Sequence, residues 1–154
     1  REDTMPIHVE LVTQERKVFE DEEIDSISIP ASEGEMGVLP GHAPVLTTMT
    51  FGELVIRKGD AEERYAIYGG VVDVRPDKVV VLADLADSSY DIDEEKARAA
   101  RDRAREMMED GVPEDQNRRA LLELRRAELQ LKVSNKLQSR GTALRIVSQE
   151  DRDK

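Results

Sequence analysis

Residues 53–83, ELVIRKGDAEERYAIYGGVVDVRPDKVVVLA, decide the fold class. Four short runs within them, 53–58, 64–67, 71–74 and 78–83, are rich in valine, isoleucine and tyrosine, the residues that suit a pleated, half-buried surface. Gly59-Asp60 separates the first two runs, as a hairpin turn requires. Arg75-Pro76-Asp77-Lys78 places proline where a type I turn wants it. Upstream, residues 7–12, IHVELV, alternate so that Ile7, Val9 and Leu11 share a face. Residues 24–30, IDSISIP, alternate Ile27 and Ile29 against Ser26 and Ser28. Strands with turns every eight to twelve residues, roughly, predict an antiparallel β-sandwich or flattened barrel. No strand leads through a glycine-rich turn into a helix, which excludes a Rossmann or P-loop site.

After Leu85 the period becomes helical. Asp91 is the expected cap of a first helix, with Glu94 three residues on as its capping-box partner. Ala97, Ala100, Ala104 and Met107/Met108 then share a narrow face that another element can approach closely. Asp110-Gly111-Val112-Pro113 breaks this helix, and a second runs from about 114 to about 139. The second helix carries two apolar stripes. Ala120, Leu124, Ala127 and Leu131 form one; Leu122, Leu129, Val133 and Leu137 form the other, nearly opposite. Either the helix is sandwiched between the sheet and the first helix, which is the simpler reading, or it changes partners. The class expected is therefore α+β: a sandwich over 1–88, a helical hairpin over 89–140, and a short, loosely ordered tail over 141–154.

The 154 residues suit one domain or one domain with an appendage, and the chain has no cysteine, so disulfides and thiolate metal sites are excluded. The two histidines, His8 and His42, leave little material for a zinc site or a Ser-His-Asp triad. No run of about 18 apolar residues occurs, and REDTMPIHVE lacks the apolar centre of a secretory signal, so a soluble cytoplasmic protein is expected. The net charge of −11 argues against nucleic acid, and 3% aromatic residues argue against a base-stacking or carbohydrate site. The charge is uneven. Residues 1–91 hold 20 acidic and 8 basic side chains, whereas 92–140 hold 11 and 12. Two solvated surfaces that merely differ would give this pattern. So would a second half that meets an acidic partner.

Residues 34–46, GEMGVLPGHAPVL, contain three glycines, two prolines and His42. A general base needs an orienting acid and a nucleophile. The stretch offers Glu35 but no serine or cysteine. Glycine permits unusual φ and close approach, while proline lowers loop entropy. Such a loop is preorganised for contact, and the residues favour docking over catalysis by His42. A small hydrolase using His42 with loop carboxylates, and a free-standing adaptor that binds a helix, are the competing readings.

Five stretches in chain order, 8–20 (HVELVTQERKVFE), 34–46, 68–86 (YGGVVDVRPDKVVVLADLA), 91–104 (DIDEEKARAARDRA) and 125–133 (RRAELQLKV), resemble the epsilon-subunit family of the bacterial rotary F-type ATP synthase. The resemblance implies a sandwich of about ten strands, a C-terminal helical hairpin and no catalytic residues. It implies a rotor subunit at the foot of the central stalk, on the cytoplasmic face of the bacterial plasma membrane, that couples proton flow to ATP synthesis. Its partners would be the gamma subunit, the c-ring and the alpha/beta catalytic head, with no nucleic acid and no direct contact with the membrane. Glu35, Met36, Gly37, Pro40 and His42 would lie in the loop that meets gamma and the c-ring. In many members the hairpin extends into the head and inhibits ATP hydrolysis. Arg118, Arg119, Arg125, Arg126 and Lys132 would then meet the acidic lever region of the beta subunit. Some relatives bind regulatory ATP between the helices through Ile/Leu-Asp-x-x-Arg-Ala and further arginines. Here Asp93, Lys96 and Arg126 would correspond, with lysine replacing the motif arginine and Gln130 replacing another. Lysine lacks the planar fork that grips a phosphate with two bonds. Asp93 also has a plainer role open to it, as a first-turn acid at a helix N-terminus.

Overall fold

Alternation carries through to three dimensions in the computed structural model, which describes residues 5–139 and 144–146 and side chains of the last helix through Ser134. The strands are β1 (Ile7–Val12), β2 (Lys17–Ile24), β3 (Ser26–Ala31), β4 (Gly34–Val38), β5 (Val45–Lys58), β6 (Ala61–Val74), β7 (Lys78–Ala83) and β8 (Ala86–Ser88). Two helices follow, α1 (Glu94–Glu109) and α2 (Glu114–Ser139). The strand order is β2-β1-β7-β6-β5-β3-β4, with β8 also on β6. All pairings are antiparallel except β1 on β7, where His8 faces Lys78 and Val12 faces Leu82, so the sheet is mixed.

Long strands make the sandwich. β5 and β6 have 14 residues each and pair along their lengths. The first half of β6 pairs with β8 at Tyr65–Ser88, and the second half pairs with β7 at Gly70–Ala83. The inward residues then form one core: Ile7, Val9 and Leu11 of β1, Ile27 and Ile29 of β3, Leu54 and Ile56 of β5, Ile67, Val72 and Val74 of β6, and Val79 and Val81 of β7. Each such side chain, removed from water, contributes roughly 1.5–3 kcal/mol. Phe19 packs edge-on to Tyr65 with ring centroids 6.5 Å apart.

Several expectations are corrected here. The described residues form eight strands where the family resemblance implied about ten. Counting β5 and β6 each as two would restore ten. Residues 64–67 and 71–74 are one strand because Gly69 (φ +92°) and Gly70 (φ +133°) bend it without ending it. The presumed loop at 34–46 is a strand over Gly34–Val38, paired with β3, and a loop only beyond it. Leu85 does not open the helical region, because Ala86–Ser88 still pairs with β6. The cap of α1 is Asp93, not Asp91: Asp93 has extended backbone and its carboxylate accepts from the Lys96 amide at 3.1 Å. Asp91 is held in a turn by its own amide, which donates to the Ser88 carbonyl.

α1 ends where the sequence predicts, with Gly111 at φ +70° just beyond Asp110. The helices are antiparallel: Ser134 donates to Glu94 at 2.6 Å, and Arg105 to Glu128 at 3.4 Å. α2 is sandwiched. Its Leu129 and Val133 pack with Ala66, Tyr68 and Phe51 on the outside of the sheet. Ala120 and Ala127 of the other stripe are buried, as are Ala97 and Ala104 of α1. Leu137 lies outside the described side chains, and the expected tail lies outside the described residues except at 144–146. There the chain is packed, and Ile146 enters the main core.

Candidate functional site

The loop that follows β4 begins at Leu39 and ends where β5 starts at Val45. Gly41 sits at φ +85°, a conformation that favours glycine, and its amide donates to the Pro76 carbonyl at 2.8 Å. The His42 amide donates to Leu39. Its imidazole Nδ1 lies 2.7 Å from the carbonyl oxygen of Ala43, so one ring nitrogen is engaged by the loop's own backbone. No acid orients it and no nucleophile faces it among the described contacts, so the constellation needed for base catalysis is missing. The Ser28 hydroxyl donates to Glu35 at 2.6 Å, which fixes that carboxylate on the edge strand beside Met36 and Gly37. Glu35, Met36 and Gly37 are thus strand residues, while Pro40 and His42 belong to the loop.

Beside this loop lies a feature that the sequence reading missed. Leu46 is 73% exposed and Leu82 51%, and Val71 and Leu39 are exposed as well. Val71 sits directly opposite Leu82, and Leu46 is one diagonal step away. Together they make an apolar strip on an outer sheet face, a feature of the kind that suits contact with another protein. Its signal was present in the consecutive apolar residues at 71–72 and 79–83, which a sheet with one wetted face does not need.

Arg118, Arg119, Arg125, Arg126 and Lys132 of α2 are all exposed, and they do not form one patch. Arg118, Arg125 and Lys132 follow one another at seven-residue spacing, and Arg119 and Arg126 do the same one position on. The two rows flank the stripe of Leu122, Leu129 and Val133 that faces the sheet. The Arg125 guanidinium stands 5.2 Å from the Phe51 ring centre, and that of Arg126 stands 5.0 Å from Tyr68. The N-terminal half of α2 leaves a groove of about 400 Å³ between Phe51, Tyr68, Leu85 and Leu122. Leu122 there is 57% exposed despite lying on the sheet-facing stripe.

Asp93, Lys96 and Arg126 do come together, in a cleft of about 630 Å³ between the helices that Gln130 and Arg103 also line. Arg103 was not foreseen. It carries the same positive charge as Lys96 and Arg126, but Asp87, Asp91, Asp93 and Glu123 share the lining. Asp93 is used as the helix cap. Gln130 donates to Asp87 at 3.1 Å, and the Tyr68 hydroxyl donates to the same oxygen at 2.7 Å. Burial, and that hydrogen bond to Asp87, raise the pKa of the Tyr68 phenol.

His8, Glu10 and Glu20 also cluster on the outer face of β1 and β2. Lys17 lies within 3.4 Å of Glu10 and 3.1 Å of Glu20, and Lys78 is 3.7 Å from Glu10. Ammonium groups already match these carboxylates, so the cluster reads as an ion-pair network. A hydrogen bond with Glu10, then those with His8 and Lys17, hold the Glu20 carboxyl down at about 2. No helix among the described residues is long and apolar enough to cross a membrane.

A sandwich with exposed apolar residues on one sheet face and a hairpin folded on its side defines a β-sandwich domain with an appended helical arm. Comparison with known proteins agrees. Residues 6–89 match the family described as ATP synthase, Delta/Epsilon chain, beta-sandwich domain, and residues 91–135 match its long alpha-helix domain. The ATP synthase epsilon chain of Halalkalibacterium halodurans is 40% identical over 131 residues, 84% of this chain and 98% of that one. The epsilon chain of Herpetosiphon aurantiacus is 43% identical over 130 residues, 84% of this chain and 95% of that one. A chain in the cryo-EM structure of the Euglena gracilis mitochondrial ATP synthase, OSCP/F1/c-ring in rotational state 1, superposes with a TM-score of 0.67 at 26% identity, covering 88% of this chain and 81% of its own. A chain of the Tetrahymena thermophila central stalk/c-ring structure shares the fold, with a TM-score of 0.55 at 15% identity over 85% of this chain and 98% of its own. The chain belongs to the ATP synthase epsilon chain family, whose members are non-catalytic subunits of the complex.

Proposed function

We propose that this chain is a rotor subunit of a proton-translocating ATP synthase, held at the foot of the central stalk on the cytoplasmic face of a bacterial plasma membrane. The sandwich binds the gamma subunit and the c-ring and passes their rotation to the catalytic head. The observation that carries this reading is the exposed strip of Leu46, Val71 and Leu82 beside the loop of Pro40 and His42. An apolar strip next to a preorganised loop suits a permanent protein partner better than water or a small substrate. Glu35, Met36 and Gly37, on the edge strand, supply the rim. Replacing Leu46 and Leu82 together by aspartate is expected to weaken binding to a gamma–c-ring complex at least about tenfold, with the melting temperature of the free chain little changed. Unchanged affinity would remove this surface from the proposal.

The hairpin acts as a brake on ATP hydrolysis in the alpha/beta head. Its basic rows flank the stripe that packs on the sheet, and Arg125 and Arg126 are committed to Phe51 and Tyr68 in the compact arrangement. Compact packing and contact with an acidic partner therefore compete for the same helix face. Leu121 and Leu122, both exposed, are apolar groups that this arrangement leaves unused. Neutralising Arg118, Arg119, Arg125, Arg126 and Lys132 should abolish both inhibition and its salt dependence. Inhibition that survives unchanged would rule out these contacts.

A further inference from the structure

Residues 144–146 lie beyond residue 135, where the match to the family's helical part ends. They return to the sandwich and make four kinds of contact. Leu144 bridges in parallel to Ala61 at the start of β6, and its carbonyl accepts from the Glu62 amide at 2.9 Å. The Arg145 guanidinium grips Glu63 through Nε at 3.1 Å and Nη2 at 2.8 Å. That carboxylate is otherwise buried, at 4% exposure, where an unpaired charge is costly. The guanidinium carbon Cζ lies 3.9 Å from the centre of the Tyr90 ring, in the connector that leads into α1. Ile146, 6% exposed, completes the main core.

We propose that the leading edge of β6, with Tyr90, is a binding site for the chain's own C-terminal segment, and that residues 144–146 occupy it as a latch on the hairpin. Five residue steps separate Ser139 from Leu144, a reach of at most about 18 Å. α2 has 26 residues and is about 39 Å long. With the latch closed, the C-terminal end of α2 stays within that short reach of β6, so the helix is unable to swing away by its own length. Arg145 also clamps Tyr90, three residues before the cap of α1, so one side chain holds both ends of the hairpin. The regulatory consequence rests on the braking role proposed above; the binding site does not. An opened latch frees the brake, and a closed latch keeps it off the head.

Amide hydrogen exchange on three versions of the isolated chain tests this: the full chain, a chain ending at Ser139, and Arg145→Ala. The last retains Ile146 and so guards the sandwich against a lost core residue. Exchange in residues 118–134 is expected to accelerate at least about tenfold in both variants, while β5 and β6 in Arg145→Ala stay protected. Equal exchange of α2 in all three versions would overturn the latch. Assays with a catalytic head lacking its epsilon subunit separate the two proposals. Faster exchange with stronger inhibition supports both, and faster exchange with no inhibition by any version supports the latch while overturning the brake.

Discussion

A methyl group at Gly70 would stand 2.2 Å from the Leu82 carbonyl oxygen and 2.9 Å from the Ala83 Cα, at a φ of +133°. Both obstacles are backbone, so neither can rotate away. Gly70→Ala should therefore cost roughly 3 kcal/mol or more, seen as a lower urea midpoint; a midpoint near that of the natural chain would contradict the close crossing of β6 and β7. Glu20 contributes to acid stability. Its carboxyl is held at about 2, below its ordinary value of 4.5, so its ionised form favours the folded state. That contribution is present above about pH 4.5 and is lost as pH falls towards 2. Glu20→Gln should flatten this part of the stability profile in acid melts, and an unaltered profile would contradict it. In the interhelical cleft, three cations face four carboxylates. Lys96→Arg with Gln130→Arg adds two planar forks and one charge, and should tighten ATP binding by about tenfold or more in a calorimetric titration. An unchanged affinity would show that these positions do not meet phosphate.

Among the elements, the hairpin rests on small residues. Ala97, Ala104, Ala120 and Ala127 are all buried, so the helices meet on small side chains, and Ala104 has no exposed surface at all. Ala104→Leu should cost about 1–3 kcal/mol of hairpin packing and raise amide exchange in both helices, while the sheet stays protected. The helices were legible because their signals are local: an aspartate cap, alanine at helical spacing, and Asp-Gly-Val-Pro as a stop. The exact cap was not, since Asp91 and Asp93 differ only in backbone geometry. Strand alternation was equally legible at 7–12 and in most of 24–30, where Ile24 proved to end β2 and Ser26 to begin β3. Gly69-Gly70 looked like a break because sequence alone does not distinguish a bend inside a strand from a turn between strands. The contact loop was read from glycine, proline and histidine, but half of it proved to be an edge strand. The apolar strip went unread because Leu46, Val71 and Leu82 come from three strands whose order is set by pairing across the whole sheet. Residues 144–146 went unread for a similar reason: their partners, Ala61, Glu63 and Tyr90, are far away in sequence.

For the whole molecule, the charge break near residue 90 separates an acidic sandwich from a hairpin rich in arginine, and the structure stacks one upon the other. Ring contacts from Arg125 and Arg126 join the two parts, and the pairing of Arg145 with Glu63 adds the segment that follows the hairpin. On the function proposed above, the compact form is a stored arrangement whose release would turn a stalk subunit into a brake. The most direct test uses a catalytic head that contains gamma but lacks its epsilon subunit. The full chain, or a chain ending at Tyr90, is added back, and binding and ATP hydrolysis are measured. Both chains are predicted to bind, and only the full chain to slow hydrolysis; failure of either chain to bind would contradict the assignment of the sandwich to the stalk.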